Sequence, residues 1–277
     1  MNNTLKRCFA LLGAVAMHSA IAASVPGQPG WSYPDADAPG GQSSWSLIAD
    51  PTSQAPAPLN YPYAECGIGT KQSPIDVKSA DIAARAGLSN INFRYNPEPL
   101  AIVNNGHTIL VQENTVAPGK LYFGTVQSYD EYTLLQFHLH APSEHTLDGV
   151  SFPMEMHFVH ATPDGKMAVV GVIVVAGAYN TELQKILDNA PTSADNITYT
   201  PPVSVNPNHL LPDNTSAYVS YAGSLTTPPC TQGVNWYVLT NFIEASEEQI
   251  VAFEALFHHH NARTTNKLNG RLVNFKP

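Results

Sequence analysis

The chemistry of this sequence begins with His138 and His140. In Leu135-Gln136-Phe137-His138-Leu139-His140, polar and apolar residues alternate, the pattern of a strand with one face in a core. Gln136, His138 and His140 then share a face, and two imidazoles at i and i+2 can bind one ion. A second stretch, Met154-Glu155-Met156-His157-Phe158-Val159-His160, puts Glu155, His157 and Val159 on one face and Met154, Met156, Phe158 and His160 on the other. If the two strands pair as neighbours, His157 supplies a third nitrogen at the same point. The connection 141–152 carries Pro142, Asp148 and Gly149, as a loop between neighbouring strands would. Three neutral imidazoles with an open fourth position form a catalytic zinc site, not a closed structural one. The all-imidazole set favours Zn2+ over copper or iron, although nitrogen ligands alone also suit cobalt. Gln136 and Glu155 each sit two residues from a histidine on its own face, placed to accept that ring's other N–H. One histidine in a strand is more often merely exposed or hydrogen-bonded. Two strands and two acceptors together make metal binding the reading here.

The elements that must position these residues are mostly strands. Runs with strand character lie at 91–95, 100–103, 108–112, 121–127, 133–140, 153–160, 167–176, 217–221 and 235–240. Turn signals such as Asn105-Gly106, Pro118-Gly119 and Asp164-Gly165 separate most of them. Helical signals are few. Ser246-Glu247-Glu248-Gln249 is a capping box leading into Ile250, Phe253, Leu256 and Phe257, and 181–190 is a shorter candidate. The fold class is therefore mainly β (α+β): a single domain with a large central, mostly antiparallel twisted sheet and a few short peripheral helices.

Residues 1–22 read as a secretory signal peptide: Lys6 and Arg7, a short apolar run, then Ala20-Ile21-Ala22. The apolar run is too short to span a bilayer, and Cys8 stands at its start, where a lipoprotein anchor does not. The mature domain is expected over 23–277, in the periplasm or secreted. Of 13 basic residues, two leave with the leader, so 11 face 22 acidic ones. That balance argues against nucleic acid or an anionic membrane as partner, since both need a basic footprint. No later segment is long and apolar enough to span a membrane. Cys66 and Cys230 remain, and one disulfide is the simplest account in an oxidising compartment. The Pro-, Gly- and Ser-rich stretch 24–65 contains Trp31, Tyr33 and Trp45, aromatics that suggest packing back on the body. Its segment 50–62 reads as an exposed loop.

The chain resembles the alpha-class carbonic anhydrases through most of its mature length. The resemblance is carried by Gln72-Ser73-Pro74-Ile75-Asp76, Asn104-Asn105-Gly106-His107, 136–140, Ser143-Glu144-His145-Thr146, 155–160, Gly223-Ser224-Leu225-Thr226-Thr227-Pro228-Pro229-Cys230 and Asn269-Gly270-Arg271. It implies reversible hydration of carbon dioxide to bicarbonate and a proton, by attack of zinc-bound hydroxide. By the same resemblance Thr226 accepts the hydroxide's hydrogen and passes its own to Glu144, while Thr227 lines the site. Val159, Val169, Leu225, Val234 and Trp236 match the family's apolar wall for the substrate. His107 matches the proton shuttle, and imidazole titrates in the range such a role needs. Tyr33 and Asn105 match residues that order the relaying water. The Ser73–Pro74 and Pro228–Pro229 bonds are implied to be cis. Bacterial relatives are often dimers, so a homodimer is an expectation by analogy.

Departures from the family pattern occur at Pro34, which follows Tyr33 in place of glycine, at Leu110 on a commonly polar rim, and in the longer proline-rich stretch before Cys66. The other histidines promise less: His145 as a buttress, His160 in the core, and His258 to His260 at a helix end, where cationic side chains complement the dipole. The sequons at Asn196 and Asn214 matter only in a glycosylating host. Two further readings stand beside the enzyme. A catalytically silent binding module of this family would typically have lost a zinc histidine, and none is missing. A zinc esterase would share the nucleophile, but no H-E-x-x-H supplies a general base.

Overall fold

The computed structural model describes residues 30–33, 40–56, 60–84, 88–113, 116–125, 128–257 and 260–277. The expected leader at 1–22, Pro34, and His258 with His259 lie outside the described residues. Among those described, twelve strands hydrogen-bond into one sheet. In chain order they are β1 (Ile82–Ala84), β2 (Ile91–Arg94), β3 (Ile102–Asn104), β4 (Ile109–Gln112), β5 (Lys120–Thr125), β6 (Ser128–His140), β7 (Met154–Ala161), β8 (Met167–Ala176), β9 (Tyr218–Ser224), β10 (Gln232–Leu239), β11 (Ile243–Ala245) and β12 (Val273–Lys276). Their spatial order is β1-β12-β9-β10-β8-β7-β6-β4-β3, with β11 beside β8 and β2 joined through β5 to β6.

Most neighbours are antiparallel, as expected, but β8 runs parallel to β10 and β11, and β12 parallel to β1. The sheet is mixed. β8 reads Met-Ala-Val-Val-Gly-Val-Ile-Val-Val-Ala and is buried without interruption from Ala168 to Val174. A strand covered on both faces reads this way, as a continuous β-branched run without alternation.

Alternation elsewhere gives the two faces different tasks. Phe137, Leu139, Met154, Met156, Phe158, Val170, Val172 and Val174 enter one large core. Each fully buried side chain of this size contributes about 1.5–3 kcal/mol relative to exposure. Helices α1 (Thr181–Asp188) and α2 (Glu247–Glu254) pack on that core through Leu183, Ile186, Ile250 and Phe253. Asn180 caps α1 by accepting from the Glu182 and Leu183 N–H groups at 3.0 and 2.9 Å. The Ser246–Gln249 capping box of α2 is present in full. The opposite face of the sheet carries a smaller apolar cluster that includes Val159, Val169, Val234 and Trp236, and beside it His138, His140 and His157.

Trp45 and Tyr33 are buried with Cys230, and Trp31 and the disulfide partner Cys66, both half-buried, pack against them. The described part of the N-terminal stretch thus does fold back on the body. No helix among the described residues is long and apolar enough to cross a membrane.

Candidate metal centre

The register between β6 and β7 brings the three histidines together. His157 lies directly opposite His138, and Glu155 opposite His140. One ring nitrogen from each of His138, His140 and His157 falls within 4.8 Å of the other two. The remaining nitrogens all have protein acceptors. His138 Nδ1 is 2.8 Å from Gln136 Oε1, His140 Nδ1 is 2.6 Å from the Asn261 carbonyl, and His157 Nε2 is 2.9 Å from Glu155 Oε1. Each acceptor selects the tautomer whose free lone pair faces the shared point. Those free atoms are Nε2 of His138, Nε2 of His140 and Nδ1 of His157.

A buried nitrogen without a partner costs about 1–3 kcal/mol. His140 Nε2 is such an atom, buried and without a hydrogen-bond partner. A soft-to-borderline cation ligated by neutral imidazoles resolves that cost, and the donor set fits zinc. Electrostatics agree for two of the rings. Burial, reinforced by the neighbouring rings, holds His138 well below the ordinary histidine pKa, and burial also lowers His140. His157 differs: burial opposes its charged form, but the charge and hydrogen bond of Glu155, with help from Glu144, raise its pKa. A dication at the shared point would take over the role of that proton.

Behind His157 the polar chain continues. Glu155 Oε1 also accepts from His145 Nδ1 at 2.7 Å, and Oε2 from the His145 backbone N–H at 2.8 Å. Burial would push this carboxyl up, but the two facing histidines and their hydrogen bonds hold it well below the usual carboxylate range. His145 Nε2 lies 2.7 Å from the Tyr221 hydroxyl, which is 2.9 Å from Ser73 Oγ.

A family model described as eukaryotic-type carbonic anhydrase matches residues 55–276. The carbonic anhydrase of Klebsiella pneumoniae is 38% identical over 232 residues, 83% of this chain and 90% of that protein. That of Nostoc sp. is 36% identical, over 83% of this chain and 85% of its own length. The alpha-carbonic anhydrase of Thermovibrio ammonificans, solved with the inhibitor sulfanilamide, matches with a TM-score of 0.78 at 36% identity, covering 90% of this chain and 100% of that one. This chain belongs to the alpha-carbonic anhydrase family.

Other residues of the carbonic anhydrase pattern are placed as follows. Val159, Val169, Leu225, Val234 and Trp236 gather in a single buried cluster, and the Trp236 ring lies 4.8 Å from that of His157. Thr226 is buried and Thr227 half-buried. The Thr227 carbonyl accepts from Cys230 N at 2.8 Å across the Pro228–Pro229 turn. Leu110 is buried and pairs with His138 across the strands, so this part of the rim is apolar. His107 is half-buried, its ring stacked on Trp31 with centroids 3.7 Å apart and planes 8° from parallel. Asn105 Oδ1 accepts from the His107 and Thr108 N–H groups at 2.9 and 2.8 Å, which shapes the turn carrying His107. Tyr33 is buried, and burial followed by the Glu144 charge raises its pKa well above the ordinary value.

One expected contact is not formed. Glu144 Oε1 accepts from the Arg263 N–H at 2.8 Å, while Oε2 is buried with no hydrogen-bond partner. No hydrogen bond joins it to Thr226; Oε2 leans instead toward His140 Nε2 at 3.6 Å and His157 Nδ1 at 3.8 Å. The Ser73–Pro74 and Pro228–Pro229 bonds are cis, as the resemblance implies, and so is Ala141–Pro142. Sequence reasoning missed Asn261, Arg263 and the role of Trp31. Asn261 acts on His140 through a backbone carbonyl 121 residues away, and a carbonyl carries no residue-type signal. Arg263 donates to Gln72 Oε1 and to the Ser73 and Cys66 carbonyls. Its burial lowers its pKa to about 10 against the raising effect of Glu144.

Proposed function

We propose that this chain binds zinc through His138 Nε2, His140 Nε2 and His157 Nδ1 and catalyses the reversible hydration of carbon dioxide to bicarbonate and a proton. The observation that carries the reading is the set of three imidazoles, each tied by one nitrogen to a protein acceptor and turning the other toward one point. When bound, zinc supplies a Lewis acid that lowers the pKa of a coordinated water to about 7, a value that belongs to carbonic anhydrases as a family.

The chain's residues do the rest. Gln136, the Asn261 carbonyl and Glu155 hold the rings in the ligating tautomer. Val159, Val169, Leu225, Val234 and Trp236 form an apolar wall suited to an apolar substrate and exclude water beside it. Thr226, buried at the site, orients the attacking oxygen through its hydroxyl, with Glu144 Oε2 as acceptor for the hydroxyl proton once the two close to hydrogen-bond distance. His107 takes the product proton at the rim and releases it to buffer. The leader at 1–22 and the Cys66–Cys230 disulfide support export, to the periplasm or beyond.

Stopped-flow carbon dioxide hydration, run with metal analysis of the same preparation, tests the assignment. The expected result is one zinc per chain and hydration far above the buffer rate, lost on chelation and restored by zinc. Metal-replete protein with no hydration above buffer would instead identify a binding module on this fold.

A further inference from the structure

We propose that Gly171 is a positioning residue of the metal centre, whose missing side chain leaves the space that the Glu155 carboxylate occupies; this rests on the zinc reading above. Gly171 is the only glycine in β8, a strand otherwise of Met, Ala, Val and Ile. Glycine in a strand interior weakens it, by loss of backbone entropy and of packing. The backbone gives no reason for the choice, because Gly171 is not among the residues with positive φ. The reason must lie in space.

Gly171 stands directly opposite His157 on β7 and beside Val238 on β10. Cross-strand partners present their side chains to the same face, so a side chain at 171 would point to the face that carries the histidines. A Cβ built there would lie 2.8 Å from Glu155 Oε1, well inside van der Waals contact. The next atoms, on Val238, would be at 3.6 and 3.8 Å, which is ordinary packing. A methyl group at 171 therefore conflicts with one atom.

A carboxylate oxygen at the end of a flexible side chain normally moves aside at little cost. This one is held. Oε1 accepts from His157 Nε2 at 2.9 Å and His145 Nδ1 at 2.7 Å, and Oε2 accepts from His145 N at 2.8 Å. Glu155 is fully buried, so no water can replace a donor it leaves. Making room for a methyl group means drawing the carboxylate off at least one of these N–H groups, and with it the partner that orients His157.

The test compares Gly171→Ala, Glu155→Asp and the double variant in zinc affinity, measured by competition with a chromophoric chelator, and in thermal stability of the apo-proteins. Gly171→Ala is expected to weaken zinc binding by about 10- to 100-fold, the range for lost partners of a metal-ligating histidine. In the Glu155→Asp background, where the shorter side chain retreats from position 171, the same change should cost less than about threefold. Unchanged zinc affinity in Gly171→Ala, or an equal loss in both backgrounds, would overturn the proposal while leaving the zinc reading intact. A wild-type protein that takes up no zinc would sink both. Should Gly171→Ala alone fail to fold, recovery of folded zinc-binding protein on adding Glu155→Asp supports the proposal, and continued misfolding overturns it.

Discussion

An imidazole that ligates a metal has one nitrogen left over, and what that nitrogen meets decides how firmly the ring is aimed. Here the acceptors are an amide oxygen from Gln136, a backbone carbonyl from Asn261 and a carboxylate from Glu155. Gln136 and Glu155 were legible because strand alternation puts residue i−2 on the same face as its histidine. Asn261 was not, since any residue offers a carbonyl and only the fold brings this one to His140. At the rim, His107 was legible only through the family resemblance, since its turn alone reads as an exposed position. The aromatics of 24–65 suggested packing back on the body without showing that the Trp31 ring would stack on His107. If His107 carries the proton out, His107→Ala should slow turnover in weak buffer by about 100-fold, the lower end of what a positioned proton-transfer group contributes. Added imidazole should restore part of the loss, and strong buffer most of it. Stopped-flow hydration at several buffer concentrations checks this; a rate in weak buffer equal to wild type removes the role.

Between residues and fold lie the joints between strands. Alternating segments such as β6 and β7 declared their type and which residues share a face, and the three histidines meet through their pairing. The parallel placement of β8 against β10 and β11 could not be read, because its unbroken apolar run has no alternation to mark its faces or register. One joint makes a pH-dependent prediction. Glu113 follows β4 (Ile109–Gln112) and accepts from the Gly119 N–H just before β5 (Lys120–Thr125), so its carboxyl ties the two strands together. Burial first, then a hydrogen bond and the charge of Glu98, raise its pKa from 4.5 to about 9, against the lowering effect of the Gly119 N–H. Tyr95, also facing this group, has its own pKa raised well above normal by burial and then by Glu113. The folded chain thus holds a proton that the unfolded chain has released, over the window between those two values. Its contribution is full below pH 4.5 and is lost as pH rises to about 9. Glu113→Gln keeps the shape without the titration. Its melting temperature should gain on wild type between pH 5 and pH 8, as followed by thermal denaturation at both; an equal difference at the two pH values would show that the carboxyl does not titrate in this window.

Over the whole molecule, the loop that carries Thr226 and Thr227 is held from far away along the chain. Cys66, in the helical turn Glu65–Ile68, is bonded to Cys230, 164 residues later and just beyond Thr226 and Thr227. Around that bond, Gln72 Nε2 donates to the Cys230 carbonyl at 2.9 Å, and Arg263 reaches Gln72, Ser73 and Cys66. Pairing of the two cysteines was readable from compartment and count. The polar ties that share the load were not, because all but the Arg263–Gln72 pair end on backbone carbonyls. This redundancy separates two effects of removing the bond. A loop of this length is worth about 5 kcal/mol in the chain-entropy model, with about 2–5 kcal/mol measured for native disulfides of small secreted domains. That stabilisation acts mainly on the unfolded chain, whereas the hydrogen bonds act in the folded one. The Cys66→Ser/Cys230→Ser variant should therefore unfold at a lower urea concentration, by about 2–5 kcal/mol, and with a larger m-value because its unfolded chain is less compact. It should keep its zinc and most of its hydration activity at 25 °C, since Gln72, itself held by Arg263, still binds the Cys230 carbonyl. Urea titration of the two proteins, with zinc content measured below the transition, decides the matter. An unchanged midpoint would mean that the disulfide adds nothing to the polar ties, and early loss of zinc or activity would mean that it, and not those ties, holds the loop.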